Sequence, residues 1–158
     1  MIETERLRLN ALDVAAAQAI VAGSREGQSW HVEFPRGDDQ DAAAMVARQG
    51  GTRFGCYVVV EKVSGLAVGT IGFFGPPDDT GTVMIGFGLV KAVRGQGYAT
   101  EALRGLVEYA RAQPSVRAIT ADSLRHNASA HRVLEKAGFC RTHATEDAYW
   151  YAIQTARL

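Results

Sequence analysis

The chain has 158 residues, of which 17 are Lys or Arg and 17 are Asp or Glu, so its formal net charge is zero. A domain that binds nucleic-acid phosphates usually carries a basic excess, and a membrane-surface binder usually carries a basic amphipathic segment. The sequence has neither feature, so we expect no nucleic-acid and no membrane partner. Its length and its 47% hydrophobic content are typical of one globular domain, which we assign to residues 1–158.

The first residues and the cysteines indicate a cellular compartment. Charged residues interrupt the apolar residues of Met1–Arg8 before a signal-peptide core can form, and no later run of roughly 20 apolar residues could span a membrane. We therefore predict a cytoplasmic protein. Cys56 and Cys140 do not form a Cys-x-x-Cys pair, and we interpret both as small buried residues without a disulfide.

The amino-terminal third predicts a strand and two helices. Arg6–Leu9 alternates between charged and apolar residues with a period of two, as in a strand. An Ala-rich helix is expected to follow Asp13 and to end near Gly23. Asp38–Arg48 predicts a second helix with acidic residues at its positive end. The Trp30–Pro35 segment between the two helices is expected to be a loop.

The rest of the chain predicts a sheet with two further helices. Three β-branched and aromatic segments separated by turn residues predict an antiparallel meander, at Gly55–Glu61, Leu66–Phe74 and Thr82–Val90. Apolar residues at helical spacing predict helices at Gly97–Ala112 and Asn127–Ala137. Further strands are expected at Val116–Ser123, Phe139–His143 and Asp147–Thr155. The fold class is α+β, with a mixed, mostly antiparallel sheet of about seven strands flanked by about four helices.

The most informative segment joins a strand to a helix through Gly95 and Gly97. The first turn of a helix has unpaired backbone N–H groups, its dipole favours negative charge, and glycines let a phosphate approach the backbone. We interpret the bend as a pyrophosphate site, although a tight connection without a ligand is the alternative that Gly-x-Gly alone leaves open. A P-loop would need Lys-Ser or Lys-Thr where this chain continues with Tyr98, and a dinucleotide fold would place its glycines in the first strand–helix unit.

Two motifs carry a family resemblance. They are Val93–Ala102 and Arg132–Phe139, with Asn127 between them. In this order they resemble the GNAT acetyltransferases, and in particular the ribosomal-protein N-terminal acetyltransferases of the RimJ/RimL type. The opening Thr4–Leu9 also fits that branch, and the resemblance extends over nearly the whole chain.

The resemblance implies a GNAT fold that binds acetyl-CoA in a split between the strands that end near Val90 and Ser123. The backbone residues that match the pantetheine contact are Phe87, Gly88 and Leu89. The residues that match the diphosphate loop are Arg94, Gly95, Gln96, Gly97, Tyr98 and Ala99. Asn127 matches a side chain that hydrogen-bonds pantetheine, although Asn is equally favoured there as a helix N-cap.

The reaction implied is direct attack of an amine on the thioester in a ternary complex. Several relatives have a glutamate or histidine five residues before the asparagine, where this chain has Asp122, which is either a general base or a solvated residue at a strand end. The family positions for an acid that protonates the thiolate are apolar here, at Ala130 and Leu134. Ser129 is an adjacent candidate, although one residue along a helix turns a side chain by about 100 degrees. Met84 replaces a glutamate that this branch often carries.

The acceptor follows from proton chemistry. Deprotonation at pH 7 costs roughly 4–5 kcal/mol for a lysine amine but only about 1 for an α-amine. A site with few acid–base groups therefore favours an N-terminal α-amine of a peptide or a small amine of low pKa. Backbone N–H groups near Leu89 are the candidate donors to the oxyanion.

The acceptor pocket is expected to involve Trp30, His31 and Glu33, together with the Pro76–Gly81 turn and the Tyr149–Tyr151 strand. A loop that covers the core is the alternative for Trp30. No metal site is expected, since His126 and His131 lie five residues apart at the last predicted helix, a spacing that does not place both on one helix face.

Two other functions compete with this interpretation. One is a CoA-binding module without catalysis, motivated by the apolar residues at Met84, Ala130 and Leu134. The other is a GNAT enzyme that acts on an antibiotic or a polyamine. A homodimer is left open by the sequence.

Overall fold

The computed structural model describes residues 1–155, which form one mixed sheet with four α-helices. The strands are β1 (Ile2–Glu3), β2 (Leu7–Ala11), β3 (Cys56–Glu61), β4 (Leu66–Phe73), β5 (Thr82–Leu89), β6 (Ala118–Leu124), β7 (Cys140–Ala144) and β8 (Ala148–Gln154). The helices are α1 (Val14–Ala22), α2 (Gly37–Gln49), α3 (Tyr98–Arg111) and α4 (Ala128–Lys136). The strand order is β1-β2-β3-β4-β5-β6-β8-β7, with β5 and β6 parallel and the other neighbours antiparallel.

The predicted fold class is confirmed. The α+β order, the antiparallel meander β3-β4-β5 and the parallel pair around α3 are all present. The sheet has eight strands in the described residues rather than about seven, because the short strand β1 pairs with β2. A strand of two residues is too short to show a period of two, so the sequence could not predict it.

The helices begin and end where their caps require. Asp13 accepts a hydrogen bond from the Ala16 N–H at 2.8 Å, and Gly23 ends α1 in the left-handed region with φ +67°. The apolar residues predicted for α3 are all buried: Leu103, Leu106, Val107 and Ala110. In α4, Leu134 is buried and the rest of the predicted apolar face, Ala130, Val133 and Ala137, is half-buried.

The prediction for the cysteines is half wrong. Cys56 is buried and Cys140 is exposed, and both are free. Cys140 begins β7, which is the last strand of the sheet and pairs only with β8. All five residues of this edge strand are exposed, which explains why Cys140 is not buried. Among residues 1–155, no helix is long and apolar enough to cross a membrane.

The predicted loop Trp30–Pro35 is present and lies against the core. Phe34 is fully buried, and the half-buried Trp30 packs edge-on against it with ring centroids 5.5 Å apart. The Trp30 backbone also bridges to Ala67 on β4. The loop therefore covers the core at this end of the meander.

A buried charge ties α2 to the sheet. The Asp39 carboxylate is fully buried and accepts hydrogen bonds from Arg36 Nη2 at 2.7 Å and from Thr70 Oγ1 on β4 at 2.6 Å. Its second oxygen accepts from the backbone N–H and the Nε of Arg36. Because a buried carboxylate is tolerated only when its lone pairs are satisfied, this network fixes how α2 packs on β4.

We expect Asp39→Ala to lower the free energy of unfolding by about 3 kcal/mol, because it leaves Arg36 and the Thr70 hydroxyl without their shared acceptor. Urea unfolding measures the change. The matched control is Asp38→Ala, since the side chain of Asp38 is 87% exposed and lies 3.8 Å from Arg36. The control is expected to change stability by only about 0.5 kcal/mol. Equal losses in both variants would contradict the structural role of Asp39.

Candidate active site

The parallel strands β5 and β6 pair over only three residues and then separate. Thr82–Met84 pairs with Ala118–Thr120, whereas β5 continues to Leu89 beside β4 and β6 continues to Leu124 beside β8. Each strand thus keeps its outer neighbour and presents an edge to the other. A sheet edge offers N–H and C=O groups to any extended chain of suitable length. The predicted split is therefore present.

The direction of the β5 backbone decides which residues serve this edge. The Val90 N–H donates to Val68 at 2.8 Å, and the Met84 carbonyl accepts from Phe74 at 2.9 Å, so even-numbered residues of β5 hydrogen-bond toward β4. Backbone groups alternate along a strand, so Phe87 and Leu89 point theirs into the split. The remaining predicted pantetheine residue, Gly88, instead directs its backbone toward β4.

The absence of a side chain at Gly88 allows the Arg36 guanidinium to pack directly on β5. A Cβ at this position would be 2.5 Å from Arg36 Nη2, so the guanidinium of Arg36 lies against the strand where any larger residue would collide with it. Asp39 holds that guanidinium in place. The positive group is therefore fixed beside the split, on the α2 face of the sheet.

The loop before α3 is exposed and shaped by glycines. Lys91–Val93 forms one 3-10 turn, and Gly95 and Gly97 both adopt φ +82°, which only glycine adopts without strain. Apart from its two chain neighbours, no described residue has a heavy atom within 4 Å of the position of a Cβ on Gly95. Arg94–Gly97 is exposed throughout, so the N-terminus of α3 opens to solvent.

Tyr98, predicted to contact the cofactor, has a structural side chain. It is 6% exposed, and its hydroxyl donates to Glu61 Oε2 at 2.8 Å. Hydrogen bonds from Ser64 and then from Tyr98 lower the pKa of Glu61. The hydrogen bond between Tyr98 and Glu61 also raises the pKa of Tyr98. The backbone N–H of Tyr98 remains the group that a ligand at this helix start could use.

Sequence reasoning missed a charged cluster beside the loop, formed by Arg6 and Glu101. Arg6 Nε contacts Glu101 Oε1 at 2.7 Å, and Arg6 Nη1 donates to the Gln96 carbonyl at 2.8 Å. Burial raises the pKa of Glu101, but hydrogen bonds from Thr4 and Arg6 outweigh it and the pKa lies below its usual value. The signal was the Thr4–Leu9 motif, whose partner Glu101 lies 95 residues away from Arg6.

The predicted catalytic residues lie on different elements. Asp122 is exposed on β6 and pairs with Trp150 of β8. Because Met84 pairs with Thr120, the ladder places Asp122 on the same sheet face as Gly88 and the α2 network. Ser129 is exposed in the first turn of α4.

Asn127 caps a helix. Its Oδ1 accepts a hydrogen bond from the Ala130 N–H at 3.2 Å, which is the N-cap interpretation of this residue. The side chain is exposed at the start of α4, so its amide nitrogen is still directed outside the cap.

Of the three residues predicted for the acceptor, only Glu33 has a hydrogen bond to the segment before α3 among the described residues. Glu33 Oε1 accepts from the Ala92 N–H at 2.9 Å, and His31 Nδ1 accepts from the Glu33 N–H at 3.0 Å. Trp30 packs on the core as described above. In the described residues, no group of three or more His, Cys, Asp or Glu side chains could hold a metal ion.

A cavity of about 370 Å³ lies between α2 and the sheet. Its aromatic lining residues are Phe54, Phe73, Phe74 and Phe87, and its charged ones are Arg36, Asp38 and Asp41. Pro76 of the predicted turn contributes to the wall, whereas Trp30, His31 and Glu33 do not. The cavity touches Gly86 and Phe87 on β5, so it meets the split on the α2 face.

Comparison with known proteins finds a family match and a curated relative. Residues 6–140 match the family model of the acetyltransferase (GNAT) domain. An N-acetyltransferase of Bacillus subtilis (strain 168), YjdG, described as uncharacterized, is 32% identical over 161 residues, covering 95% of this chain and 96% of YjdG.

Two solved structures share the fold. A GNAT-family acetyltransferase from Bacillus anthracis superposes with a TM-score of 0.73 at 22% identity, covering 98% of both chains. RimL, an α-N-protein acetyltransferase of ribosomal protein L7/L12 solved with coenzyme A, gives 0.71 at 14% identity, covering 96% of this chain and 95% of RimL. The separated strands and the exposed glycine loop thus occur in a chain that shares its fold with RimL and belongs to the GNAT acetyltransferase family of acyltransferase enzymes.

Proposed function

We propose that this chain transfers the acetyl group of acetyl-CoA to a primary amine, either the N-terminal α-amine of a peptide or protein or a small amine. The observation that carries this proposal is the split between β5 and β6, which ends at the exposed glycine loop before α3. One edge suits an extended pantetheine arm, and the helix start beyond it suits a diphosphate.

The residues fit coenzyme A. Phe87 and Leu89 present backbone groups to the pantetheine arm, and the open bend at Gly95 and Gly97 leaves room for phosphate oxygens beside the first N–H groups of α3. Arg94 uses its Nε to bind the Leu89 carbonyl at 3.1 Å, which withdraws one carbonyl from the edge of the split. When bound, acetyl-CoA supplies the activated acetyl group as a thioester.

The reaction needs a hydrogen-bond donor to the developing oxyanion and an acceptor for the proton of the amine. The amine nitrogen forms a bond to the thioester carbon, the C–S bond breaks, and one proton passes from the amine to a base while the thiolate takes another. The Leu89 N–H points into the split and is our candidate donor to the oxyanion. Asp122, on the cavity face of β6, is our candidate base, directly or through water. Ser129 or solvent protonates the thiolate.

The cavity supports an amine with an apolar body. Aromatic walls favour an apolar side chain, and the carboxylates of Asp38 and Asp41 favour a cation nearby. RimL is described as an α-N-protein acetyltransferase, and an α-amine is cheaper to deprotonate than a lysine amine. An antibiotic or a polyamine is the alternative acceptor, favoured by the same two carboxylates.

The role of the glycine loop predicts a selective effect on cofactor affinity. Gly95→Ala places a side chain at φ +82°, and we expect the strained loop to shift and to weaken CoA binding by about tenfold. Calorimetric titration with CoA measures this. The matched control is Gly27→Ala, since Gly27 has φ +78° and equally open surroundings. Equal CoA affinity in both variants would contradict the loop assignment.

The role of Asp122 predicts a loss of turnover without a loss of cofactor binding. Asp122→Asn is expected to lower kcat at pH 7 by about 100-fold, because the amide is not a proton acceptor, and to leave CoA affinity unchanged. Thiol release from acetyl-CoA measures kcat. Asp147→Asn is the control, since Asp147 is exposed in the β7–β8 turn and hydrogen-bonds Thr145. Full activity of Asp122→Asn would remove this residue from the mechanism.

The acceptor class is tested with paired peptides. One peptide has a free N-terminus and blocked lysines, and its partner has a blocked N-terminus and free lysines. We expect acetylation of the first, with kcat/KM rising toward the α-amine pKa of about 8. Aminoglycosides and spermidine complete the panel. Rapid acetylation of lysine without activity on the α-amine would contradict the proposed acceptor, and CoA binding without transfer to any acceptor would favour a non-catalytic module.

A further inference from the structure

The segment that precedes β2 reaches the loop that precedes α3. Arg6 donates through Nη1 to the Gln96 carbonyl at 2.8 Å, and its guanidinium carbon lies 4.6 Å from the centre of the Tyr98 ring. The same guanidinium is 3.3 Å from the position of a Cβ on Gly97. Arg6 therefore lies against the end of the loop and the first residue of α3.

The Gln96 contact sets the direction of a peptide group. In a trans peptide the C=O and the following N–H point in opposite directions. Because Arg6 binds the Gln96 carbonyl, the Gly97 N–H points to the side of the loop away from Arg6, and Gly97 is exposed to solvent. The carbonyl, which would repel an anion, is turned away from that side.

Glu101 and Thr4 hold Arg6 in place. The Glu101 carboxylate accepts from Arg6 Nε at 2.7 Å and from the Arg6 backbone N–H at 2.8 Å, and it also accepts from the Thr4 hydroxyl at 2.5 Å. Glu101 lies in the first turn of α3, where an unpaired carboxylate would repel an anionic ligand. The pair with Arg6 thus orients the arginine and neutralises the acid at once.

We propose that Arg6 is a positioning residue for the diphosphate of coenzyme A: it fixes the Gln96–Gly97 peptide with its N–H outward and cancels the charge of Glu101. This inference rests on the proposed function, since it requires the loop to bind the diphosphate. Arg6 acts from the side of the Gln96 carbonyl, through the peptide it holds. Its effect is therefore confined to the diphosphate half of the cofactor.

The experiment compares two ligands by calorimetry. CoA carries the diphosphate, whereas S-acetylpantetheine has the thioester arm without it. Arg6→Ala is expected to weaken CoA binding by about tenfold, the loss of one hydrogen bond to a charged group, and to leave S-acetylpantetheine binding unchanged. Arg6→Lys retains a charge but presents only one nitrogen, so its loss of CoA affinity is expected to be intermediate.

Two control variants separate positioning from stability. Arg8→Ala, two residues along, removes an exposed pair with Glu3 and is expected to change neither affinity. Lys62→Ala removes the 2.6 Å bond from Nζ to the Thr4 carbonyl, so it loosens the same segment without contacting the loop. It is expected to lower Tm and to keep CoA affinity.

The outcomes are distinct. Unchanged CoA affinity in Arg6→Ala, or an equal loss for both ligands, would overturn the role of Arg6 while leaving the proposed function intact. Failure of the unmodified protein to bind CoA would overturn the proposed function itself. Should Arg6→Ala fail to fold, Arg6→Lys decides between these outcomes, because a purely structural role would move Tm and not the ratio of the two affinities.

Discussion

The separation of β5 from β6 is the constraint on which the rest of the site depends. After three paired residues, each strand has an edge whose backbone donors and acceptors have no strand to bind. Such an edge is tolerated where water or a ligand can reach it, and β4 and β8 keep both strands rigid from outside. The split thus presents two strand edges inside one continuous sheet, instead of at its two ends.

Local patterns were enough to predict the scaffold of this slot. The alternation of Arg6–Leu9, the apolar stripe of α3 and the glycines at 95 and 97 are each written in adjacent residues, and the structure contains the elements they predicted. The separation of the strands, in contrast, entered only through the family resemblance. Nothing local in β5 says where its pairing with β6 stops, since pairing depends on a strand more than 30 residues later.

The functional side chains were harder to predict, and for a physical reason. The contacts between Arg6 and Glu101 and between Asp39 and Thr70 join residues far apart in sequence, so no periodicity signals them. A charged residue in the first turn of a helix is expected to be solvated. Asp38 is exposed as expected, whereas Asp39 is buried. The position of Glu33 is likewise set by a long-range contact, because its carboxylate accepts from the Ala92 N–H and does not line the α2 cavity.

In the proposed complex, a protein of zero net charge attracts a ligand that carries several negative charges, and the peptide dipoles at the loop supply the attraction. Arg94 donates to the Leu89 carbonyl and Arg6 donates to the Gln96 carbonyl. At each end of the loop, an arginine side chain is thus bonded to a backbone carbonyl. The Gly97 N–H, opposed to the Gln96 carbonyl, then points away from Arg6 beside the start of α3, whereas the Val90 N–H, opposed to the Leu89 carbonyl, donates to Val68 on β4. Attraction that comes from fixed N–H groups falls off within a few ångströms, so in the proposed complex it acts on a diphosphate lying on the loop and not on polyanions at the rest of the surface.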